Sequence, residues 1–244
     1  DRDGDHSYGI HAVESSPRIV RNEINAGPRQ PNRSNGILLY GSSANSTIAN
    51  NWIHGGFGKE AIGIYLKEGA SARIWSNHVN AGWAQGGAGF GGAVAIAVAD
   101  GSPSVVNNIL FSDGGPVRYG IYEETSDSDP TLLRNNVFFD TQTAFYVDEG
   151  TNNHGVITVL NDWTQTTGSI AYTATENVTV TDPFFVDRPG GDWHLSAASP
   201  VSVTQGGFDL SGSSYYPTKG LPAIPIDFYR SDRSVPWSIG AHEY

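Results

Sequence analysis

Four tyrosines recur along the chain beside carboxylates and one lysine, and these side chains together have the chemistry needed to hold a sugar. Aromatic rings stack on the apolar faces of sugars, and charged groups hydrogen bond to sugar hydroxyls. This group contains Tyr40, Tyr65, Tyr122, Tyr146, Lys67, Glu68, Asp100, Glu124 and Asp148. The pattern is therefore compatible with a glycan-binding face. The alternative is that the tyrosines only pack against one another along a strand face.

The same face could cleave a glycan. Glycoside hydrolysis uses two carboxylates, about 5 Å apart for retention of configuration and up to ~9.5 Å apart for inversion. Glu124 and Asp148 are predicted to stand one coil apart, at ~4.8 Å. Lys67 could act as the base of a polysaccharide lyase. We therefore keep Glu124, Asp148 and Lys67 as candidate catalytic residues beside the non-catalytic alternative.

Three alternating aspartates, Asp1, Asp3 and Asp5, are spaced as in oxygen-rich calcium loops. The later Glu ligand of such loops is missing at the expected spacing, so a frayed acidic terminus is the alternative. The seven histidines form no His-x-x-x-His pair and there are no cysteines, which disfavours zinc. Calcium is therefore the only cofactor that we consider.

A glycine-rich insertion between residues 82 and 92 carries Trp83 and Phe90. Its G-x-G-x-x-G string precedes no predicted helix, so a dinucleotide site is rejected. A loop tipped by these aromatic residues could cover the binding face, and Trp83 is for that reason a candidate ligand-binding residue. Simple tolerance of a long loop is the alternative.

The composition excludes several classes of protein. The 244 residues include 25 acidic and 14 basic side chains, a net charge of −11, which disfavours a nucleic-acid partner. No apolar run approaches the ~18 residues of a membrane span, so no membrane insertion is expected. The chain begins without a signal peptide or an initiator Met, and we expect it to be part of a longer protein.

An internal repeat organises the first two thirds of the chain. A small residue followed by an apolar one recurs at steps of 27, 27, 32, 25 and 24 residues. The apolar residues of this first ladder are Ile10, Ile37, Ile64, Ile96, Ile121 and Phe145. A second ladder contains Ile19, Ile48, Ile74, Val105 and Leu133. Stacked coils bury such files in a continuous core, which predicts an all-β, right-handed parallel β-helix of six or more coils.

An asparagine column accompanies the ladders at Asn22, Asn51, Asn77, Asn108, Asn136 and Asn161. Side-chain amides stacked at a bend satisfy polar groups from one coil to the next, and Asn tolerates left-handed backbone. We expect this column to be structural. Alternation places Glu123 in an inward column, where an unpaired carboxylate is costly, so either the coil is bulged there, the preferred interpretation, or Glu123 is buried with a partner.

The repeat fades after about residue 165. We therefore divide one domain into β-helix coils over 1–165 and final strands with an irregular C-terminal cap over 166–244. The cap is expected to cover the open end of the stack, because a bare β-helix end invites aggregation.

The coil pattern resembles the parallel β-helix repeats of carbohydrate-binding and sugar-hydrolysing proteins. The segments Asp182–Asp187, Gly191–Leu195 and Ser238–Glu243 resemble the closing segment of bacterial secreted or surface-anchored β-helix proteins, with Ser238 and His242 in place of that family's Asp and Tyr. The resemblance implies an extracellular or cell-surface location and a polysaccharide or surface glycan as partner, or a structural, adhesive role. The Gly-His-Gly and Arg-Ile-Lys strings of polygalacturonase-like members are absent.

Overall fold

The computed structural model describes residues 5–28, 31–41, 46–86, 91–125, 128, 130, 132–141, 144–147, 166–167, 177–180, 182–207, 210, 227–228 and 237–241. The first three coils contain β1 (His6–Val13), β2 (Arg18–Val20), β3 (Glu23–Asn25), β4 (Arg33–Tyr40), β5 (Ser46–Ala49), β6 (Trp52–His54), β7 (Phe57–Gly58), β8 (Glu60–Lys67), β9 (Ala72–Trp75), β10 (His78–Asn80) and β11 (Trp83–Ala84). The remaining elements are β12 (Ala93–Val98), β13 (Ser104–Val106), β14 (Ile109–Phe111), β15 (Arg118–Glu123), β16 (Leu132–Arg134), β17 (Val137–Phe138), β18 (Ala144–Val147), β19 (Thr166–Thr167), β20 (Val178–Thr179), β21 (Phe185–Asp187), β22 (Asp192–Leu195) and α1 (Val201–Thr204).

Three parallel sheets form the walls of the stack. Sheet A has the order β1-β4-β8-β12-β15-β18-β19, sheet B the order β2-β5-β9-β13-β16, and sheet C the order β3-β6-β10-β14-β17-β20. Each of the first five coils contributes one strand to each sheet, and coils stack with strand pairs in parallel register. The parallel β-helix is confirmed, with about five turns in place of the six or more expected. The right-handed sense stays a prediction, supported by the strong preference of parallel crossovers.

The interior ladders follow the predicted repeat. Ile10, Ile37, Ile64, Ile96 and Ile121 are paired in register along sheet A. The second ladder runs in register along sheet B, and a third along sheet C contains Ile24, Ile53, Val79, Leu110 and Phe138. Almost all of these side chains are fully buried, and each contributes about 1.5–3 kcal/mol of transfer free energy.

The asparagine ladder is also confirmed, and each member hydrogen bonds to the next coil. Asn51 donates from its backbone and side-chain nitrogens to Asn77 Oδ1, at 3.0 Å in both cases. The same pair of bonds joins Asn77 to Asn108 and Asn108 to Asn136. The left-handed residue at this corner is the one before each ladder Asn, as at Asn50 with φ of 53°. The amide, and not the backbone conformation, is what the ladder requires of its Asn.

Two predictions about the last coil are wrong. The ladder continues from Asn136 to Asn177, with Nδ2 to Oδ1 at 2.9 Å, so Asn177 occupies the position predicted for Asn161, which lies outside the described residues. Ile121 pairs with Tyr146, and not with Phe145. A register shift of one residue moves each side chain of a strand to the opposite face of the sheet. Tyr146 is therefore buried in the core instead of facing outward.

Glu123 shows why the core accepts Tyr146. Glu123 keeps the regular register opposite Val98, so the preferred bulge is wrong and the buried, partnered alternative is correct. Its side chain is fully buried and Oε1 accepts a hydrogen bond from the Tyr146 hydroxyl. A buried carboxylate needs such a donor because desolvation is costly.

The described C-terminal residues pack along the side of the stack. Leu195 and Val203 join an apolar cluster with Ile109 and Val137 on the outer face of sheet C, and the Trp193 ring lies 5.1 Å from that of Trp52. Strands β19 and β20 extend sheets A and C. The division at residue 165 and an end cap stay predictions.

Candidate functional site

The outer face of sheet A, predicted to be the exposed glycan-binding face, is largely buried. Leu38, Ile62, Val94 and Ala97 form an apolar cluster there, and Tyr65 is a member with 1% of its surface exposed. The prediction of Tyr65 as an exposed stacking platform is therefore wrong. Burial of the central columns restricts ligand access to the margins of the face.

Tyr65 reaches across the neighbouring coil to a glutamate. Its hydroxyl donates a hydrogen bond to Glu124 Oε2, two coils further along. The intervening coil presents Ala97 and Ala99 at this place, and their small side chains leave room for the tyrosine to span it. Lys67 Nζ lies 5.4 Å from the centre of the Tyr65 ring, so a cation, a phenol and a carboxylate meet here.

A partly buried ion pair supports the other side of Tyr65. Arg33 and Glu60 begin neighbouring strands in register, and Arg33 Nε and Nη2 each lie 2.7 Å from Glu60 Oε2. Arg33 Nη1 is 3.4 Å from the Tyr65 hydroxyl, and Cζ lies 5.2 Å from its ring centre. Sequence reasoning missed this pair, although its 27-residue spacing matches the repeat and could have revealed it.

Electrostatics make Tyr65 a donor and not a base. Burial raises the pKa of the Tyr65 phenol far above its ordinary value, and the hydrogen bond to Glu124 and the charge of that carboxylate raise it further. The phenol therefore keeps its proton and holds Glu124 in place. Burial also raises the pKa of Tyr8 on this face, against the influence of Arg33.

The accessible part of the face is the margin where the sheet A strands end. Tyr40, Lys67, Ala99 and Glu124 occupy one row there, one residue per coil, and we call this row the carboxyl edge. Tyr40 is 38% exposed, Glu124 is exposed and Lys67 is partly exposed. Tyr122 lies beside the row, partly exposed. The structure thus brings together four predicted site residues that are at least partly exposed, Tyr40, Lys67, Tyr122 and Glu124, and the buried Tyr65 contacts two of them.

Glu68 and Asp100 stand at the next corner. Both adopt left-handed backbone, with φ of 55° and 61°. Glu68 is exposed, whereas Asp100 accepts a hydrogen bond of 2.6 Å from Thr125 Oγ1 and donates its backbone N–H to Thr125 and Ser128. These bonds assign Asp100 a structural role in holding this turn. Asp148 lies outside the described residues, so its distance from Glu124 stays a prediction.

Trp83 belongs to a different part of the molecule. It stacks on Phe57 with ring centroids 4.8 Å apart, pairs with Gly114 and is 39% exposed. This short pairing of β7 and β11 precedes the starts of the sheet A strands, whereas Tyr40 and Glu124 lie at or just beyond their ends. An eight-residue strand spans about 23 Å, so Trp83 is remote from the carboxyl edge. Phe90 lies outside the described residues.

The proposed calcium site is only partly described, because Asp1 and Asp3 lie outside the described residues. Asp5 is exposed and accepts a 2.6 Å hydrogen bond from Asn32. Within the described ranges, no group of three or more His, Cys, Asp or Glu side chains is arranged to hold a metal. A calcium site at Asp1, Asp3 and Asp5 stays a prediction.

A second polar cluster fastens the C-terminal segment to sheet C. Arg188 binds Asp113 at 3.2 Å and Asp140 at 3.3 Å, and its guanidinium lies 5.2 Å from the Phe111 ring centre. Asp113 also accepts from His54 Nε2 at 2.7 Å. The sequence contains no local signal for this cluster, because Arg188 follows the regular coils and contacts residues 48 and 75 positions away.

The hydrogen bonds of this cluster make it a structural clasp. Gly56 N–H donates to His54 Nδ1, so both ring nitrogens of His54 are engaged and it is poorly placed as a general base. Burial alone would raise the pKa of the Asp113 carboxyl, but hydrogen bonds from His54 and Arg188, together with the neighbouring Asn80 amide, outweigh it and lower the pKa to about 2. Asp113 therefore stays ionised and bound to Arg188 in mild acid.

The chain matches no protein-family model, and comparison with curated proteins and with solved structures gives no match. Within the part of the chain that is described, no helix is long and apolar enough to cross a membrane. The fold is thus a parallel β-helix with a buried asparagine ladder. The resemblance to carbohydrate-binding and sugar-hydrolysing proteins stays a prediction from the coil pattern.

Proposed function

We propose that this protein is an extracellular or cell-surface β-helix module that binds a polysaccharide or surface glycan at the carboxyl edge. The observation that carries the proposal is the row of Tyr40, Lys67 and Glu124, which offers an exposed ring, a cation and a carboxylate on consecutive or alternate coils. Aromatic and hydrogen-bonding groups of this kind suit the apolar and polar faces of sugars.

Preorganisation supports the same proposal. Glu124 is held by the Tyr65 hydroxyl, and the row is set by the parallel register of rigid strands. A site fixed before binding loses less conformational entropy when the ligand arrives. The edge therefore has the rigidity that weak sugar contacts require.

Affinity electrophoresis and calorimetry with a panel of neutral and uronic acid polysaccharides test the proposal. We expect retention by at least one glycan and a loss of about 2- to 10-fold in affinity for Tyr40→Ala, the size of one aromatic contact. Trp83→Ala is the matched control, because its exposure is nearly the same and it lies at the opposite end of the strands. Lack of binding to every glycan would favour a structural or adhesive role instead.

A polysaccharide-degrading enzyme, either a lyase or a glycoside hydrolase, is the second candidate. The favouring observation is the oriented Glu124 carboxylate near Lys67 and Tyr65. Incubation with the same panel and calcium would then yield new reducing ends or an unsaturated, absorbing product. Glu124→Gln and Asp148→Asn should each abolish such activity. Activity that survives both substitutions would place the chemistry elsewhere.

A further inference from the structure

We infer that the carboxyl edge takes a neutral glycan and rejects uronic acid polymers, and that Glu124 sets this preference. The inference rests on the proposed glycan-binding function and adds the ligand class. Specificity of this kind comes from placing an unfavourable charge against the wrong ligand as much as from contacts to the right one.

The charges along the edge are mostly negative. The sheet A strands end at Val13-Glu14, Tyr40-Gly41, Lys67-Glu68, Ala99-Asp100 and Glu124-Thr125. Among these described positions Lys67 is the single basic residue, against four acidic ones. The whole chain carries a net charge of −11, so the long-range field also opposes a polyanion.

The nearby arginine does not reverse this balance. Arg33 begins β4, but its side chain reaches the Tyr65 hydroxyl, with Nη1 at 3.4 Å, so its guanidinium lies near Glu124. The same guanidinium is bound to the buried carboxylate of Glu60 at 2.7 Å. The Glu60 carboxylate offsets the positive charge of this guanidinium. Lys67 is thus the available cation at the edge, and it lies beside Glu68 in the chain.

The Tyr65 hydroxyl orients the Glu124 carboxylate at the edge. The Tyr65 hydroxyl holds Oε2, while Oε1 of this exposed side chain makes no hydrogen bond to any described residue. Oε1 can accept from the hydroxyl of a neutral sugar. A uronate carboxylate at the same place would meet a fixed like charge, which lowers binding about tenfold when the charges are close and partly screened.

The experiment compares neutral and uronic acid polysaccharides on the native protein and two variants by affinity electrophoresis. The native chain should retain a neutral polymer at least tenfold better than any uronate polymer. Glu124→Gln should reduce this ratio about tenfold. Glu23→Gln, which removes the same charge at an exposed position on β3, should leave the ratio unchanged. Circular dichroism melting checks that each variant is folded.

The outcomes separate the two proposals. Failure of all polysaccharides to bind overturns the glycan-binding function itself. Binding with a preference for uronate polymers leaves that function standing and overturns this inference, as does an equal effect of Glu124→Gln and Glu23→Gln. Salt gives an independent check, because raising it to about 0.5 M screens the repulsion and should narrow the native ratio severalfold.

Discussion

Two adjacent glutamates show how one kind of contact acts in two surroundings. Glu123 points into the core and accepts a hydrogen bond from Tyr146 of the next coil, whereas Glu124 points outward and accepts one from Tyr65, two coils earlier. The inner pair is fully buried, so breaking it leaves an uncompensated carboxylate. The outer glutamate is exposed, so water can replace the lost donor. The inner pair therefore stabilises the fold, and the outer pair is available for ligand binding.

The largest loss of stability should come from the asparagine ladder, whose amides are buried. It gives the upper limit against which the two glutamate pairs are compared. Asn77→Ala removes the acceptor of two bonds from Asn51 and leaves buried donors unsatisfied. At about 1–3 kcal/mol for each such group, the free energy of unfolding should fall by about 4 kcal/mol. Urea unfolding measures it. Asn22→Ala, at the exposed first coil, should cost no more than about 1 kcal/mol.

The inner pair should follow. Tyr146→Phe keeps the ring and removes the donor to Glu123, and we expect a loss of about 2 kcal/mol in unfolding free energy. Adding Glu123→Leu removes the stranded carboxylate and should restore part of the loss, because replacing both members of a buried polar pair is often nearly neutral. Denaturant unfolding of the single and double variants tests this. Additive losses would contradict the pairing.

The outer pair should matter less for stability. Tyr65→Phe removes the same kind of hydrogen bond, but Glu124 is solvated, so the expected loss is about 0.5–1 kcal/mol. The same denaturant experiment applies. A loss as large as that of Tyr146→Phe would show that the two surroundings do not differ in the way that their exposures indicate.

The smallest effect concerns acid, at the partly exposed clasp of Asp113 and Arg188. The folded pKa of Asp113 is lowered from 3.8 to about 2, so its contribution is complete above the unfolded pKa of about 3.9 and is lost as the pH falls toward 2. Solvent screening limits this contribution to less than about 1 kcal/mol. Asp113→Asn should flatten the stability of the protein between pH 4 and 2. An unchanged slope would rule out a role for this carboxylate.

The interior could be predicted from the sequence because every coil repeats it. The isoleucine and asparagine columns recur at a nearly constant spacing, and stacking turns equal spacing into neighbouring positions. The prediction failed in the last coil, because two adjacent aromatic residues, Phe145 and Tyr146, fit the apolar pattern of the ladder equally well. In the structure Tyr146 lies inside, where its hydroxyl donates to the buried Glu123. The need of Glu123 for a donor arises from this contact, and the spacing of the repeat does not reveal it.

The outer face was harder to predict for a related reason. The alternation of side chains along a strand correctly predicts that Tyr65 and Glu124 point out of the stack. It does not tell whether an outward side chain is exposed to solvent. Whether Tyr65 is exposed depends on Ala97 and Ala99, whose size lets the ring span a coil, and on its contacts with Arg33, Lys67 and Glu124. The clasp at Arg188 likewise joins residues far apart in the chain, which no local pattern encodes.

The step from Asn136 to Asn177 has a consequence for how such a molecule can change. Earlier ladder steps cover 26 to 31 residues, yet this one covers 41 and restores the same amide contact. The entropy of closing a longer loop grows only with the logarithm of its length. New peptide can therefore be added between these two amides, by evolution or by grafting, with little effect on the coils beneath.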